Sequence, residues 1–179
     1  MRVAAVILAA GQGTRMRSAL PKVLHPLAGR PMLAHVLDTV SRVVDDPPVV
    51  VLGRGAEIIQ RAMMQPARFV LQEPQLGTGH AVLQAEALLR GQADLILVSF
   101  GDMPLLSVQT FQRVLAAQQA QRGPFTMLSV MAEDPRGFGR VVRDAQGNVM
   151  AIVEEAQATP EQLAIRELNV SLYCFQADW

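Results

Sequence analysis

Runs and stripes of apolar residues divide this chain into elements before anything else about it is considered. Val3 to Leu8 is an unbroken apolar run, the pattern of a parallel strand buried on both faces. It opens into a loop from about Ala9 to Arg30 that carries Gly11, Gly13, Pro21, Pro26 and Gly29. Pro31 sits where a first helical turn tolerates proline. Beyond it, Leu33, Val36, Leu37, Val40 and Val44 recur at the spacing of an amphipathic helix on a sheet. Pro47-Pro48 ends that helix. Val49 to Leu52 then reads as a second strand, about Ala56 to Met64 as a short helix, and Arg68 to Gln72 as a third strand. Thr78 is a candidate N-cap, and Val82, Ala85, Leu88 and Leu89 give the helix after it one apolar stripe. Leu95 to Val98 is the fourth core strand, and Ser107 caps a helix that buries Phe111, Val114 and Leu115.

From Phe125 the period changes. Phe125 to Met131, Gly139 to Arg143, Val149 to Glu154 and Glu167 to Phe175 read as strands, with Gly147-Asn148 a tight turn between two of them. The first two-thirds is therefore βαβαβα with short connections, which predicts right-handed crossovers and a mostly parallel sheet in an α/β fold. The last third predicts extra strands at one end, and residues 1–179 read as one domain without repeats or linkers.

Composition narrows the function classes. With 50% hydrophobic residues, 18% charged and 16 basic against 16 acidic side chains, the 179-residue chain has ample material for a core and is not disordered. A net charge of +0 argues against an electrostatic nucleic-acid binder. The apolar runs are too short to span a bilayer, and the first leads into glycines rather than a cleavage-type boundary. The expectation is a cytoplasmic protein with no nucleic-acid or membrane partner. Cys174 is the only cysteine, so it has no internal disulfide partner and no thiolate metal cluster. One cation stands out: Lys22 is the only lysine among 16 basic residues. That bias fits base composition as readily as a need for a compact ammonium.

In folds of this class ligands sit outside the carboxyl ends of the strands, which draws attention to Leu8-Ala9-Ala10-Gly11-Gln12-Gly13-Thr14-Arg15-Met16. The dinucleotide fingerprint fails, since its third glycine would fall at Met16, and the P-loop Gly-Lys-Ser/Thr is absent. What remains is a loop of small residues with two nearby cations, Arg15 and Lys22. Such a loop suits an anion cradle, but the glycines alone fit a tight strand-to-loop turn equally well. Asp102, just after the fourth core strand, stands where one hard oxygen ligand would meet magnesium on a phosphate, or where a turn is simply capped. Gln72 offers a donor and an acceptor, as the edge of a base requires.

LAAGQGTRM (Leu8 to Met16) and PKVLH (Pro21 to His25) resemble the signature of the sugar-nucleotide pyrophosphorylases. LQEPQLGTGHA (Leu71 to Ala81), GDMPL (Gly101 to Leu105), GFGRVV (Gly137 to Val142), IVEE (Ile152 to Glu155) and ELN (Glu167 to Asn169) follow in order. Together they are similar to the bifunctional N-acetylglucosamine-1-phosphate uridyltransferase/glucosamine-1-phosphate acetyltransferase family. That resemblance implies a Rossmann-like, glycosyltransferase-A-like nucleotidyltransferase fold in three layers. It implies transfer of UMP from UTP to N-acetylglucosamine 1-phosphate, giving UDP-N-acetylglucosamine and pyrophosphate for cell-wall precursors. By the same resemblance Arg15 and Lys22 serve the triphosphate and Asp102 holds Mg2+. Leu8, Ala9, Ala10, Gly11, Gly13, Gln72, Gly77, Thr78, Phe100 and Gly101 would contact the nucleotide, and Gly139, Glu154 and Asn169 the amino sugar. The family's domain runs on past the position of Trp179 to supply a second metal ligand, an asparagine, and then adds a left-handed β-helix that builds its trimer. Neither is present in these residues, so a monomer and an incomplete C-terminal end are expected. Val170-Ser171 stands where the family usually has Thr-Gly. Another sugar-1-phosphate nucleotidyltransferase of the same fold, or a sugar-nucleotide-binding fragment without turnover, remains as an alternative. No chemical role is assigned to His25, His35 or His80.

Overall fold

Val3–Ala9 contains no charge and is buried at all seven positions, because strands pair with it on both edges and side chains cover both of its faces. The computed structural model describes every residue except Gln12, Thr14, Arg15 and Trp179. This first strand, β1, lies parallel to β4 (Val49–Leu52) on one side and to β6 (Leu95–Phe100) on the other. β5 (Arg68–Leu71) continues the parallel sheet beyond β4. Between these strands run α1 (Met32–Val40), α2 (Ala56–Ala62), α3 (Thr78–Leu83) and α4 (Glu86–Leu89), with α5 (Val108–Gln119) after β6.

The chain divides into two compact units, Met1–Thr126 with Tyr173–Trp179, and Met127–Leu172. In the first unit the sheet closes with the end of β10 (Glu167–Gln176), whose Tyr173 to Gln176 pair antiparallel with Val98 to Leu95. Ala4, Val6, Leu8 and Ala10 point to one face, where they pack with Ala81, Ala85 and Leu89. On the other face Ala9 lies near Leu33 of α1 and Val23 around Gly101. Helices thus cover both faces of a mostly parallel sheet, the expected α/β arrangement. No helix among the described residues is long and apolar enough to cross a membrane.

The second unit contains most of β7 (Phe125–Met131), β8 (Arg140–Arg143), β9 (Val149–Val153), α6 (Pro160–Leu163) and the start of β10. β8 pairs antiparallel with β9 through the Asp144–Asn148 turn, and its Arg140 pairs with Leu168 of β10. Asp144 accepts hydrogen bonds from the N–H groups of Gln146 and Asn148, and Gly147 takes φ +87°, which makes this the tight turn the sequence predicts.

Four local expectations need correction. The first helix ends at Val40, not Val44, because Asp45 exchanges hydrogen bonds with Val3: the Val3 N–H donates to the Asp45 carboxylate at 2.7 Å and the Asp45 N–H to the Val3 carbonyl at 3.0 Å. Pro31 stands at the N-cap position, one step before the helix. Thr78 is the first residue of α3 and not its cap; Gly77 takes the cap position at φ +102°. The helix predicted through Val82 to Leu89 is broken into α3 and α4, because the Gln84 side-chain amide donates to the His80 carbonyl (3.0 Å) that its own backbone N–H would otherwise take. The long loop after β1 also has structure of its own. Lys22–Leu24 makes one 3-10 turn, and β2 (Pro26–Leu27) with β3 (Arg30–Pro31) forms a two-residue hairpin through Ala28 and Gly29, both at positive φ.

Candidate functional site

A cleft of about 690 Å3 opens over the carboxyl ends of β1, β5 and β6. Its floor is the apolar end of β1 and the loop after it, Leu8, Ala9, Ala10, Gly11 and Gly13. Small side chains leave the backbone itself facing the cavity, which is what close approach to an anion demands. Gly13 is required twice over: its φ is +59°, and a Cβ there would lie 2.7 Å from the Cβ of Lys22. Gln12, Thr14 and Arg15 belong to this loop and lie outside the described residues, so the predicted role of Arg15 has no geometry here.

Lys22 and Asp102 line the cleft and form an ion pair with each other. The lysine reaches it from the 3-10 turn. The aspartate is presented by a turn at the end of β6, where the Gly101 N–H donates to the Leu8 carbonyl at 2.9 Å. Gly101 itself is buried and does not line the cleft. A Cβ at Gly101 would meet Leu33 and Val23 at 3.1 Å, so packing requires the glycine, and packing sets the aim of Asp102. The Lys22 and Asp102 side chains are 35% and 24% exposed, a setting in which an ion pair contributes only about 0–1 kcal/mol. Each can therefore change partner at little cost. One carboxylate in an open cleft suits magnesium, which uses one or two protein carboxylates together with phosphate oxygens. No cluster of three or more His, Cys, Asp or Glu capable of holding a metal exists among the described residues.

Gln72, at the exit of β5, is only 5% exposed, although sequence reading makes it an ordinary strand-end residue as readily as a ligand. Its Nε2 donates to the Gly77 carbonyl at 2.9 Å and lies 3.1 Å from His80 Nδ1. The amide nitrogen thus faces protein partners on both sides, which leaves the oxygen as the atom of Gln72 available to a ligand. Gly77, Thr78 and Phe100 also line the cleft.

Met16, Val23, Gln75 and Ala81 complete the lining and were missed by sequence reasoning. Gln75 matters most among these. Its Nε2 donates to the Ala10 carbonyl at 2.6 Å, tying the LGTG loop to the floor, and it passes so close to Gly53 that a Cβ there would lie 2.2 Å away. Gly53 in Leu52-Gly53-Arg54-Gly55 was the available signal, since a glycine at a strand exit marks a close backbone approach.

Gly139, Glu154 and Asn169 belong to the second unit, and the fold brings the three together there. The Asn169 N–H donates to the Gly139 carbonyl at 2.9 Å, and a Cβ on Gly139 would sit 3.2 Å from Glu154 Oε1. Glu154 is exposed, which removes the cost of a carboxylate after an apolar strand. Neighbouring Glu155 accepts from the Gly137 N–H (2.9 Å) and pairs with the buried Arg140 (3.5 Å), which shapes the GFGR turn.

Comparison with known proteins agrees with this architecture. Residues 5–163 match the family model described as the MobA-like NTP transferase domain. The chain is 54% identical over 168 residues to the Bifunctional protein GlmU of Paraburkholderia xenovorans, covering 93% of this chain and 36% of that protein. It is 50% identical over 184 aligned residues to the Bifunctional protein GlmU of Pseudomonas aeruginosa, covering 100% of this chain and 40% of that protein. The chain therefore spans well under half the length of these relatives. Among solved structures, a UDP-glucose pyrophosphorylase complexed with UDP-glucose aligns with a TM-score of 0.75 at 18% identity, over 99% of this chain and 77% of that one, a likeness of fold alone.

Proposed function

We infer, starting from the fact that the chain belongs to the MobA-like NTP transferase domain family, that its cleft binds a nucleoside triphosphate and passes the nucleotidyl group to a sugar 1-phosphate. UTP and N-acetylglucosamine 1-phosphate are the substrates we assign. One observation carries this: a single cleft holds a small-residue loop, a lysine–aspartate pair and the Gln72 amide, whose nitrogen faces the Gly77 carbonyl and His80 and which leaves its oxygen as the acceptor for a ligand. The acceptor complements the N3–H of uracil, whereas cytosine presents an acceptor at N3 and is repelled. A phosphate oxygen of the sugar phosphate attacks the α-phosphorus of UTP, forming one P–O bond as the bond to the β-phosphate oxygen breaks and pyrophosphate leaves. The attacking oxygen is already anionic, so the protein's part is positioning and charge neutralisation. Lys22 exchanges Asp102 for the triphosphate and balances charge on the departing pyrophosphate. Asp102, freed of the lysine, holds magnesium, which when bound supplies positive charge to the phosphates. Gly139, Glu154 and Asn169 are assigned to the sugar, the carboxylate accepting from hydroxyls and the amide both donating and accepting. The similarity to proteins named GlmU supports this choice of substrates.

Calorimetric titration of this chain with UDP-N-acetylglucosamine and magnesium tests the reading, with UDP-glucose, dTDP-glucose and NAD as comparators. Selective binding of UDP-N-acetylglucosamine is expected; folded protein that binds none of the four, or prefers NAD, overturns it. Binding without turnover is the alternative reading. Binding of UDP-N-acetylglucosamine with no pyrophosphate released from UTP and the sugar phosphate would select it.

A further inference from the structure

His80 has no place in the reaction just described, yet its ring is joined to the residue assigned to read the base. Gln72 Nε2 lies 2.9 Å from the Gly77 carbonyl oxygen and 3.1 Å from His80 Nδ1. The carbonyl accepts only, so the nitrogen of the amide, and not its oxygen, must face it. The second amide hydrogen then points at Nδ1, which accepts it in the tautomer that carries its proton on Nε2. Nε2 in turn lies 3.2 Å from the Gln84 amide nitrogen, which keeps its hydrogen bond to the His80 carbonyl at 3.0 Å and, being only partly buried, can turn its second hydrogen away from the Nε2 proton. The Gly77 carbonyl also accepts from the Ala81 N–H at 3.1 Å; it takes one hydrogen of the Gln72 amide, and His80 is the partner for the other.

We propose that His80 is a positioning residue that selects the base: by accepting from Gln72 through Nδ1, it holds the Gln72 oxygen toward the cleft and so makes the site accept an imide N–H. This rests on the assignment of Gln72 to the base. Without His80 one amide hydrogen loses its partner, the Gln72 amide rotates more freely, and its NH2 face becomes available to a base that presents an acceptor. His80 touches no substrate in this scheme; it sets the orientation of a group that does.

The experiment is titration of the chain with UTP and with CTP, magnesium present, for wild type and for His80→Leu, His80→Asn and Gln72→Leu. Asparagine places an acceptor where Nδ1 stands, and leucine fills the space without one. The ratio of UTP to CTP affinity is expected to fall about fivefold in His80→Leu, the effect of one hydrogen bond, and to be kept within about twofold in His80→Asn, since one acceptor replaces another at the same place. Should His80→Leu fail to fold, His80→Gln takes its place, because its longer amide reaches the Nε2 position and leaves Nδ1 without a substitute. If Gln72→Leu weakens UTP while the ratio stays unchanged in both His80→Leu and His80→Gln, the positioning role is overturned. If Gln72→Leu leaves UTP binding intact, the assignment of Gln72 to the base fails instead, and His80 falls with it.

Discussion

At the scale of single residues, the positions that matter most are those where backbone comes close to backbone. Gly53 lies against Ala10 and Gln75: a Cβ would stand 2.7 Å from the Ala10 carbonyl oxygen and 2.2 Å from Gln75 Nε2. The Gln75 amide can swing away, but the carbonyl is main chain on the floor of the cleft. Gly53→Ala is expected to cost about 1–3 kcal/mol of stability, the range for overpacking a close contact. It should also weaken UTP binding several-fold, read from denaturant unfolding and calorimetry. Ser171 is a different case. It holds φ +58°, a conformation that costs an L side chain about 1–2 kcal/mol, and its N–H is fixed by the Asn169 side-chain oxygen at 3.1 Å. Glycine there loses about 0.5–1 kcal/mol through the unfolded chain, which is less than it gains. Ser171→Gly should therefore raise stability by on the order of 0.5 kcal/mol, measured as an increase in Tm. The Val170-Ser171 departure from the Thr-Gly pattern thus has a backbone consequence that the letters alone do not convey.

At the scale of elements, the second unit is secured by charged side chains where the first is secured by apolar ones. Glu167 at the start of β10 accepts two hydrogen bonds from the Arg143 guanidinium of β8, both at 2.7 Å, and a third from the Ser129 hydroxyl of β7 at 2.7 Å. Arg143, and then Ser129, hold its carboxyl down to about 2 from an ordinary 4.5, against the opposing effect of burial. A carboxyl with a pKa lowered by folding contributes stability in full above the unfolded value, and that contribution disappears as pH falls from about 4.5 to about 2. Glu167→Gln should accordingly lower stability at neutral pH while flattening the acid limb over that interval, followed by circular dichroism across pH. Equal acid sensitivity in the variant would show that another carboxylate is responsible. Sequence reading placed this strand correctly, but nothing in its alternation shows which arginine faces Glu167, since register is set by pairing with β8.

At the scale of the whole chain, the sheet of the first unit carries a buried reporter, Cys174. The thiol is fully buried on β10 opposite Leu97 of β6, and burial pushes it up to about 12. It is therefore a neutral thiol at physiological pH and a poor nucleophile. Native protein should resist thiol reagents, with modification appearing at the denaturant concentration that opens the β6–β10 pair. Fast labelling under native conditions would mean that this strand pair opens. Unlike the Glu167 pair, this protection depends on apolar packing and backbone pairing rather than on charge, so salt should leave it unchanged.

Local pattern alone decided the order of strands and helices, the parallel core and the loop after β1. Each of these follows from short-range rules: apolar runs for strands buried on both faces, three-and-four spacing for helix stripes, and glycine and proline for turns. The family motifs also pointed to Lys22, Asp102, Gln72 and Gly77, which the fold gathers into one cleft. Only the tertiary structure decided that Lys22 pairs with Asp102, that the Gln72 amide nitrogen faces both Gly77 and His80, and that Gln75 reaches back to Ala10. The Lys22–Asp102 and Gln75–Ala10 contacts join residues 80 and 65 positions apart, while the Gln72 bonds arise in a turn whose course depends on Gly77 at φ +102°. Hydrophobic period carries no information on either. It specifies which side of an element is buried, whereas the partner of a polar atom depends on how distant segments meet once that side is covered.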